Sequence, residues 1–133
     1  MSQAGQFILC IDDDSDDLYF LQEAIREVDP NMDIVQFNSG IDALQYLKEA
    51  KTEHDLPCVA ILDINMPVMD GKETLNRIKA DPGLAHVHVV VLTTSSSKKD
   101  FEYFRELGIK MFTKPVKAED FRQIAEIFVQ HCK

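Results

Sequence analysis

The sequence alternates short apolar runs with longer amphipathic segments, and the alternation is repeated five times. The apolar runs end at charged or turn-forming residues, which predicts buried β-strands at 6–11, 33–37, 57–63, 86–93 and 109–113. Apolar residues at helical spacing predict α-helices at 16–28, 39–50, 71–81, 97–108 and 117–131. Strands that are apolar on both faces belong in a parallel sheet that helices cover on both sides. The pattern therefore predicts an α/β fold of five βα units around a doubly wound parallel sheet.

The length of 133 residues suits one compact domain, with a core at about 6–131. Ser39 is a predicted N-cap of the second helix, and Gly108 is a predicted C′ residue that closes the fourth. No apolar stretch reaches the length of a membrane span, and the N-terminus has no export signal. These features favour a single cytoplasmic domain without a membrane segment.

The charge and the cysteines exclude several kinds of partner. A net charge of -9 argues against binding to nucleic acid or to anionic lipid, because both need clustered Lys and Arg. The three cysteines, Cys10, Cys58 and Cys132, are scattered and form no C-x-x-C pair. We expect reduced thiols, with Cys10 and Cys58 as small core residues and no zinc site.

Polar side chains stand where the predicted strands end. Asp12 and Asp13 follow the first strand, Asp63 ends the third, Thr93 and Thr94 end the fourth, and Lys114 and Pro115 follow the fifth. The carboxyl ends of the strands in a doubly wound sheet carry the binding site. The sequence therefore predicts that carboxylates, hydroxyls and an ammonium group converge on one edge of the sheet.

This set of groups suits phosphoryl transfer. Crowded carboxylates repel one another unless they hold a cation, and hard oxygen ligands suit Mg²⁺. A carboxylate can also act as a nucleophile and form an aspartyl phosphate. A hydroxyl donor and a lysine ammonium would then neutralise the charge on the phosphoryl oxygens.

Four segments resemble the signatures of the receiver domain of two-component response regulators: "FILCIDDDSDD", "LDINMPVMDG", "VVVLTTSSS" and "FTKPV". They occur in the family's order and cover nearly the whole chain, and they are most similar to the stand-alone receivers. The resemblance implies a flavodoxin-like sheet with strand order 2-1-3-4-5. It also implies that the chain is no enzyme beyond its own phosphorylation and dephosphorylation. No output domain is expected, because the sequence ends with the fifth helix.

The resemblance also implies roles for the acidic residues. Asp63 matches the aspartate that accepts the phosphoryl group. Asp12 and Asp13 match the acidic pair that binds Mg²⁺, with Asp13 as the direct ligand. Asn65 matches the position whose backbone carbonyl contributes to the metal site. The neighbouring Asp14, Asp16 and Asp17 are expected only to cap the first helix.

The remaining roles concern the switch. Thr93 and Thr94 match the hydroxyl that turns toward the phosphoryl group and its neighbour, and Lys114 matches the lysine that pairs with that group. Pro115 follows this lysine, where the family often has a cis peptide bond. Met111 stands where the family usually has an aromatic residue. The adjacent aromatic, Phe112, is expected to point to the opposite face of the strand.

The implied partners are a sensor histidine kinase or a histidine phosphotransfer protein. A downstream protein is expected to bind the face formed by the fourth helix, the fifth strand and the fifth helix, which is also a candidate for a homodimer contact.

Two other functions stay open at this point. One is a haloacid-dehalogenase-like phosphatase with an aspartate nucleophile, and the other is a flavodoxin-like FMN binder, whose phosphate the acids after the first strand would repel.

Overall fold

A computed structural model describes residues 5–95 and 97–133. Its five strands are all parallel and lie in the order β2-β1-β3-β4-β5. The strands are β1 (Phe7–Ile11), β2 (Asp33–Phe37), β3 (Val59–Leu62), β4 (Val89–Thr93) and β5 (Met111–Thr113). The helices are α1 (Ser15–Val28), α2 (Gly40–Lys48), α3 (Gly71–Ala80), α4 (Lys98–Glu106) and α5 (Phe121–His131). The predicted fold class and strand order are confirmed.

Two apolar layers pack against the sheet, one on each face. On β1, Leu9 and Ile11 join the layer that includes buried residues of α2, α3 and α4. Ile8 and Cys10 point the other way and join the layer formed with α1 and α5. This alternation with a period of two is what a strand buried on both faces requires, and it explains why β1 is apolar throughout.

Several predicted elements are longer in the sequence pattern than in the structure. The fourth strand was predicted from residue 86, but its pairing with β3 begins at Val89, opposite Ala60. The fifth helix was predicted from residue 117, but a 3₁₀ turn (Ala118–Asp120) precedes α5. Apolar periodicity continues beyond the last backbone hydrogen bond of an element, so it locates the element better than its ends.

The helix ends follow local side-chain chemistry. The Ser39 hydroxyl accepts a hydrogen bond from the Asp42 N–H and caps α2, as predicted. Gly108 has a φ of +73° after the end of α4, which confirms its predicted C′ role, because this conformation is strained for residues with a side chain. Asp70 caps α3 by accepting from the Glu73 N–H.

The cysteines differ from the prediction. Cys58, just before β3, and Cys132, just after α5, form a disulfide with a Cα–Cα distance of 5.3 Å. The expectation of reduced thiols is wrong for these two residues, because 74 positions separate them and only the fold brings them together. Cys10 is the buried free thiol among the described residues, and burial raises its pKa to about 12.

Among residues 5–95 and 97–133, every helix is too short or too polar to cross a membrane.

Candidate functional site at the carboxyl end of the sheet

Asp12 and Asp63 are held at the ends of adjacent strands by the backbone of the sheet. The Asp12 N–H donates to the Phe37 carbonyl at 3.1 Å, and the Asp63 N–H donates to the Ile11 carbonyl at 3.0 Å. These bonds continue the parallel pairing one residue beyond the strands. Both carboxylates are buried, Asp12 at 7% exposure and Asp63 at 5%. The sheet therefore fixes two acidic side chains next to each other and largely out of water.

Gly71 allows α3 to begin directly behind Asp63. A Cβ atom at this position would lie 2.3 Å from the Asp63 carbonyl oxygen and 2.6 Å from the Ile64 Cα. The Gly71 N–H also donates to the Ile64 carbonyl at 2.8 Å. Because both close atoms belong to the backbone, any larger residue would push the loop that carries Asp63. Sequence reasoning missed this role, since Gly71 looked like an ordinary first residue of a helix.

Lys114 brings a positive charge to this pair. Its backbone N–H donates to the Thr93 carbonyl at 2.8 Å, which extends the pairing of β4 and β5. Its Nζ lies 2.7 Å from Asp12 Oδ2, 2.7 Å from Asp17 Oδ2 and 3.1 Å from Asp63 Oδ2. The ammonium group donates hydrogen bonds to Asp17 and Asp63 and lies within ion-pair distance of Asp12. Three carboxylates thus share one buried cation.

Burial and pairing oppose each other in the titration of this cluster. Burial raises the pKa of Asp12 to about 6, even though the hydrogen bond from Lys114 works in the opposite direction. For Lys114, burial alone would lower the pKa, but hydrogen bonds to Asp12 and Asp17 outweigh it and hold the pKa above its usual range. Lys114 therefore stays charged, while the ionised form of Asp12 lacks part of the stabilisation that water would give it.

The acidic residues fit a divalent metal ion. One carboxylate oxygen from each of Asp12, Asp13 and Asp63 lies within 4.8 Å of the others. Asp12 and Asp63 are buried while Asp13 is exposed, so the group opens to solvent on the side of Asp13. Hard carboxylate oxygens with room for water match the preference of Mg²⁺. The exposed Asn65 is close by, because its N–H donates to Asp63 Oδ1 at 3.4 Å.

Thr93 ends β4 as a fully buried polar residue. Its hydroxyl oxygen accepts a hydrogen bond from the Ser95 N–H at 3.2 Å. The Ser95 hydroxyl donates to Asp100 of α4 at 2.8 Å, and Lys72 of α3 lies 2.6 Å from the other oxygen of Asp100. The hydrogen bond from Lys72 lowers the pKa of Asp100. Thr93 is thereby connected to α4 and α3, whereas its neighbour Thr94 is exposed.

The fifth strand shows the predicted alternation. Met111 packs against the layer of α2, α3 and α4, and Phe112 packs against the layer of α1 and α5. Pro115 follows a trans peptide bond, since no cis bond occurs in the described parts of the chain. The expectation of a cis bond at Pro115 is wrong for this structure, and the trans form is the lower-energy isomer before most prolines.

Asp17 is the site residue that sequence reasoning assigned wrongly. It was expected only to cap α1, but Asp14 is the cap, and its side chain accepts from the N–H groups of Asp16 and Asp17. Asp17 instead reaches Lys114. A signal was available, because Asp17 lies four positions before the buried Leu21 and seven before the buried Ala24. That spacing puts it on the face of α1 that packs against the sheet.

Comparisons with known proteins agree with this geometry. A family model described as the response regulator receiver domain matches residues 8–126. The response regulator Rcp1 from Synechocystis sp. is 29% identical over 84% of this chain and 77% of its own length. The crystal structure of the phosphorylated cyanobacterial phytochrome response regulator RcpA has a TM-score of 0.82 at 30% identity, covering 94% of this chain and 91% of that one. The Mn²⁺-bound form of Rcp1 has a TM-score of 0.80 at 28% identity, covering 92% and 91% of the two chains.

The chain belongs to the response regulator receiver family of two-component signalling. The resemblance seen in the sequence is therefore confirmed. The haloacid-dehalogenase-like phosphatase alternative receives no support from these comparisons. The cluster of carboxylates from Asp12, Asp13 and Asp63 could hold a divalent metal, and the similar Rcp1 structure contains Mn²⁺.

Proposed function

We propose that this protein is a phosphorylatable switch in which Asp63 accepts a phosphoryl group from a phosphohistidine. The observation that carries the proposal is the pairing of Asp63 with Lys114 at 3.1 Å, beside the carboxylates of Asp12 and Asp13. A buried carboxylate next to a fixed cation is held in one orientation, which is what a nucleophile in phosphoryl transfer needs. The chain would change its own phosphorylation state without turning over a separate substrate.

The chemical step is a displacement at phosphorus. An oxygen of the Asp63 carboxylate forms a bond to phosphorus while the phosphorus–nitrogen bond breaks. The electron pair of that bond stays on the imidazole nitrogen, so the donor returns to an ordinary histidine. Lys114, already directed at Asp63, would hold the negative charge of the phosphoryl oxygens.

Asp12, Asp13, Asp63 and the backbone carbonyl of Asn65 would hold Mg²⁺, with Asp13 as the direct ligand facing solvent. When bound, Mg²⁺ would supply positive charge to the phosphoryl oxygens and to the crowded carboxylates. The exposure of Asp13 leaves that side open to the donor and to water. The carboxylate oxygens of the three aspartates are near enough to share one ion.

The switch would run through Thr93. Turning its hydroxyl toward the phosphoryl group would break the hydrogen bond from the Ser95 N–H. The exposed Thr94 would help to stabilise the phosphoryl group from the solvent side of the site. Because Ser95 also contacts Asp100 of α4, the β4–α4 loop would rearrange with it. Met111 would follow this movement in place of the aromatic residue, since its side chain is flexible.

We further propose that the partners are a sensor histidine kinase or a histidine phosphotransfer protein, and a downstream protein on the face of α4, β5 and α5. An open groove of about 540 Å³ lies on this face, lined in part by Phe101, Arg105, Ile109 and Met111. Phe101 is 51% exposed there, which suits an apolar contact with a target or with a second copy of the chain. Nucleic acid and membranes are not expected as partners.

That residues 1–133 form one receiver domain working in the cytoplasm remains our prediction. The Cys58–Cys132 disulfide is unusual for that location, because cytosolic thiols are normally kept reduced.

The proposal is tested with phosphoramidate, a small donor whose phosphorus–nitrogen bond resembles that of phosphohistidine. The protein is incubated with the donor with and without Mg²⁺, and both bound phosphoryl group and released phosphate are measured. The proposal expects up to one phosphoryl group per chain, only with Mg²⁺. Release of phosphate from a simple phosphomonoester over many turnovers would instead indicate a phosphatase and contradict the proposal.

A further inference from the structure

Lys114 has one more anionic partner than the proposed reaction uses. Asp63 is the proposed acceptor and Asp12 a proposed metal ligand, so their contacts with Lys114 belong to the site. Asp17 has neither role, yet its carboxylate lies 2.7 Å from Nζ, as close as that of Asp12 and closer than that of Asp63. The Asp17 side chain is 23% exposed, so this ion pair is only partly screened by water.

The local backbone keeps Asp17 in this position. Asp17 lies in the first turn of α1, and its N–H donates to the carboxylate of the cap residue Asp14. The face of α1 to which it belongs packs against the sheet through Leu21 and Ala24. Its carboxylate therefore approaches Lys114 from α1, while Asp12 and Asp63 approach from the strand ends.

The ammonium group is already paired with three carboxylates before any phosphoryl group arrives. A phosphoryl group on Asp63 adds further anionic oxygens that need the same cation. Asp17 must then share Lys114 with them, and its own charge repels them. Asp17 consequently stabilises the unphosphorylated arrangement relative to the phosphorylated one.

We infer that Asp17 is a positioning residue that restrains Lys114 and so slows phosphoryl transfer to Asp63. The inference rests on the proposed function of Asp63 and deepens it. Asp17 would act entirely through Lys114 and would touch neither the donor nor the metal. The unphosphorylated protein would therefore react more slowly with small phosphodonors than it would without the Asp17 carboxylate.

The test compares Asp17→Asn with a matched control, Asp16→Asn. Asp16 is the exposed neighbour on the same helical turn, and its side chain has no hydrogen bond or ion pair within residues 5–95 and 97–133. Both substitutions remove one negative charge, but only one releases Lys114. With acetyl phosphate and Mg²⁺, we expect Asp17→Asn to be phosphorylated roughly three- to tenfold faster than wild type, the scale of one altered, partly screened ion pair. Asp16→Asn should stay within about twofold of wild type.

Two further variants identify the route of the effect. Asp17→Glu keeps the charge and should restore a rate near that of wild type. In a Lys114→Gln background, adding Asp17→Asn should change nothing, because the group through which Asp17 acts is gone. An unchanged or lower rate for Asp17→Asn would overturn the inference, as would an increase that persists without Lys114.

A binding measurement separates this inference from the proposed function. Fluoroberyllate is a tetrahedral analogue of a phosphoryl group that binds to a carboxylate without breaking a donor bond. Its affinity in the presence of Mg²⁺ should increase for Asp17→Asn and not for Asp16→Asn, by a factor similar to that in the rate. If wild type takes no phosphoryl group at all, the proposed function fails, and the fluoroberyllate affinities of the two variants alone decide the inference. Equal affinities would overturn it.

Discussion

The two ends of the parallel sheet are built in opposite ways. At the carboxyl end, Asp12, Asp63 and Lys114 bury charges beside one another. At the other end, a covalent bond between Cys58 and Cys132 ties the start of β3 to the end of α5. The same strand, β3, therefore begins at a disulfide and ends at the proposed nucleophile.

The disulfide end of the sheet contributes stability, whereas the carboxyl end carries the reactive groups. Burial raises the pKa of Asp12 to about 6, so ionising this carboxyl at neutral pH lowers the free energy of unfolding relative to its protonated form. A disulfide acts mainly by restricting the unfolded chain, and it has no direct effect on a site at the far end of the strands. We expect the two ends to respond to different perturbations.

The largest expected effect is loss of the disulfide. Replacing Cys58 and Cys132 together by Ser opens a loop that spans 74 positions, and this should lower the free energy of unfolding by up to about 4 kcal/mol. Urea denaturation measures it. The double variant should be insensitive to reductant, whereas the wild type should fall to a similar stability when reduced. A loss of phosphorylation in the double variant would contradict the separation of the two ends.

Removing the central cation should have the next largest effect. Lys114→Met leaves the carboxylates of Asp12, Asp17 and Asp63 without their shared partner. The expected loss in the free energy of unfolding is about 3 kcal/mol at pH 7. Because burial already raises the pKa of Asp12, this carboxyl should be protonated at pH 5, and the loss in the free energy of unfolding should then be smaller. Added Mg²⁺ should also reduce the loss. Denaturation curves at the two pH values check this, and equal losses would mean that repulsion is not the cause.

Mg²⁺ binding should depend on pH through Asp12. Its pKa is raised to about 6, so below this pH the folded protein holds a proton that the metal must displace. The affinity for Mg²⁺ should therefore rise about tenfold between pH 5 and pH 7 and then level off. Titration calorimetry at several pH values measures it. Asp12→Asn should bind Mg²⁺ more weakly, and its affinity should depend much less on pH. An unchanged pH dependence in this variant would show that Asp12 is not the group responsible.

The smallest effect is expected at the contact between α3 and α4. Lys72 pairs with Asp100 at 2.6 Å, but the Lys72 side chain is 31% exposed. Lys72→Met should lower the free energy of unfolding by only about 0.5 kcal/mol, because water screens such pairs. Thermal unfolding measures this, with Lys99→Met, an exposed neighbour on α4, as the control. A loss comparable to that of Lys114→Met would show that the Thr93 side of the site is held as strongly as the Lys114 side.

The sequence predicted the parts of this molecule that depend on local pattern. The five βα units follow from apolar periodicity, and the strand order was implied by the family resemblance. The convergence of Asp12, Asp63 and Lys114 follows from the rule that sites lie at carboxyl strand ends. The Cys58–Cys132 bond and the pairing of Asp17 with Lys114 join segments 74 and 97 positions apart. Helical spacing places Asp17 on the face of α1 that packs against the sheet, but the partners in both contacts depend on how α1 and α5 pack there.

The most direct test of the account is the location of the phosphoryl group. Wild type and Asp63→Asn are incubated with acetyl phosphate and Mg²⁺, and intact mass is followed by peptide mapping of the modified chain. We expect one added phosphoryl group in wild type, on the peptide that contains Asp63, and none in Asp63→Asn. A phosphoryl group on another residue, or an equal gain in both proteins, would contradict it.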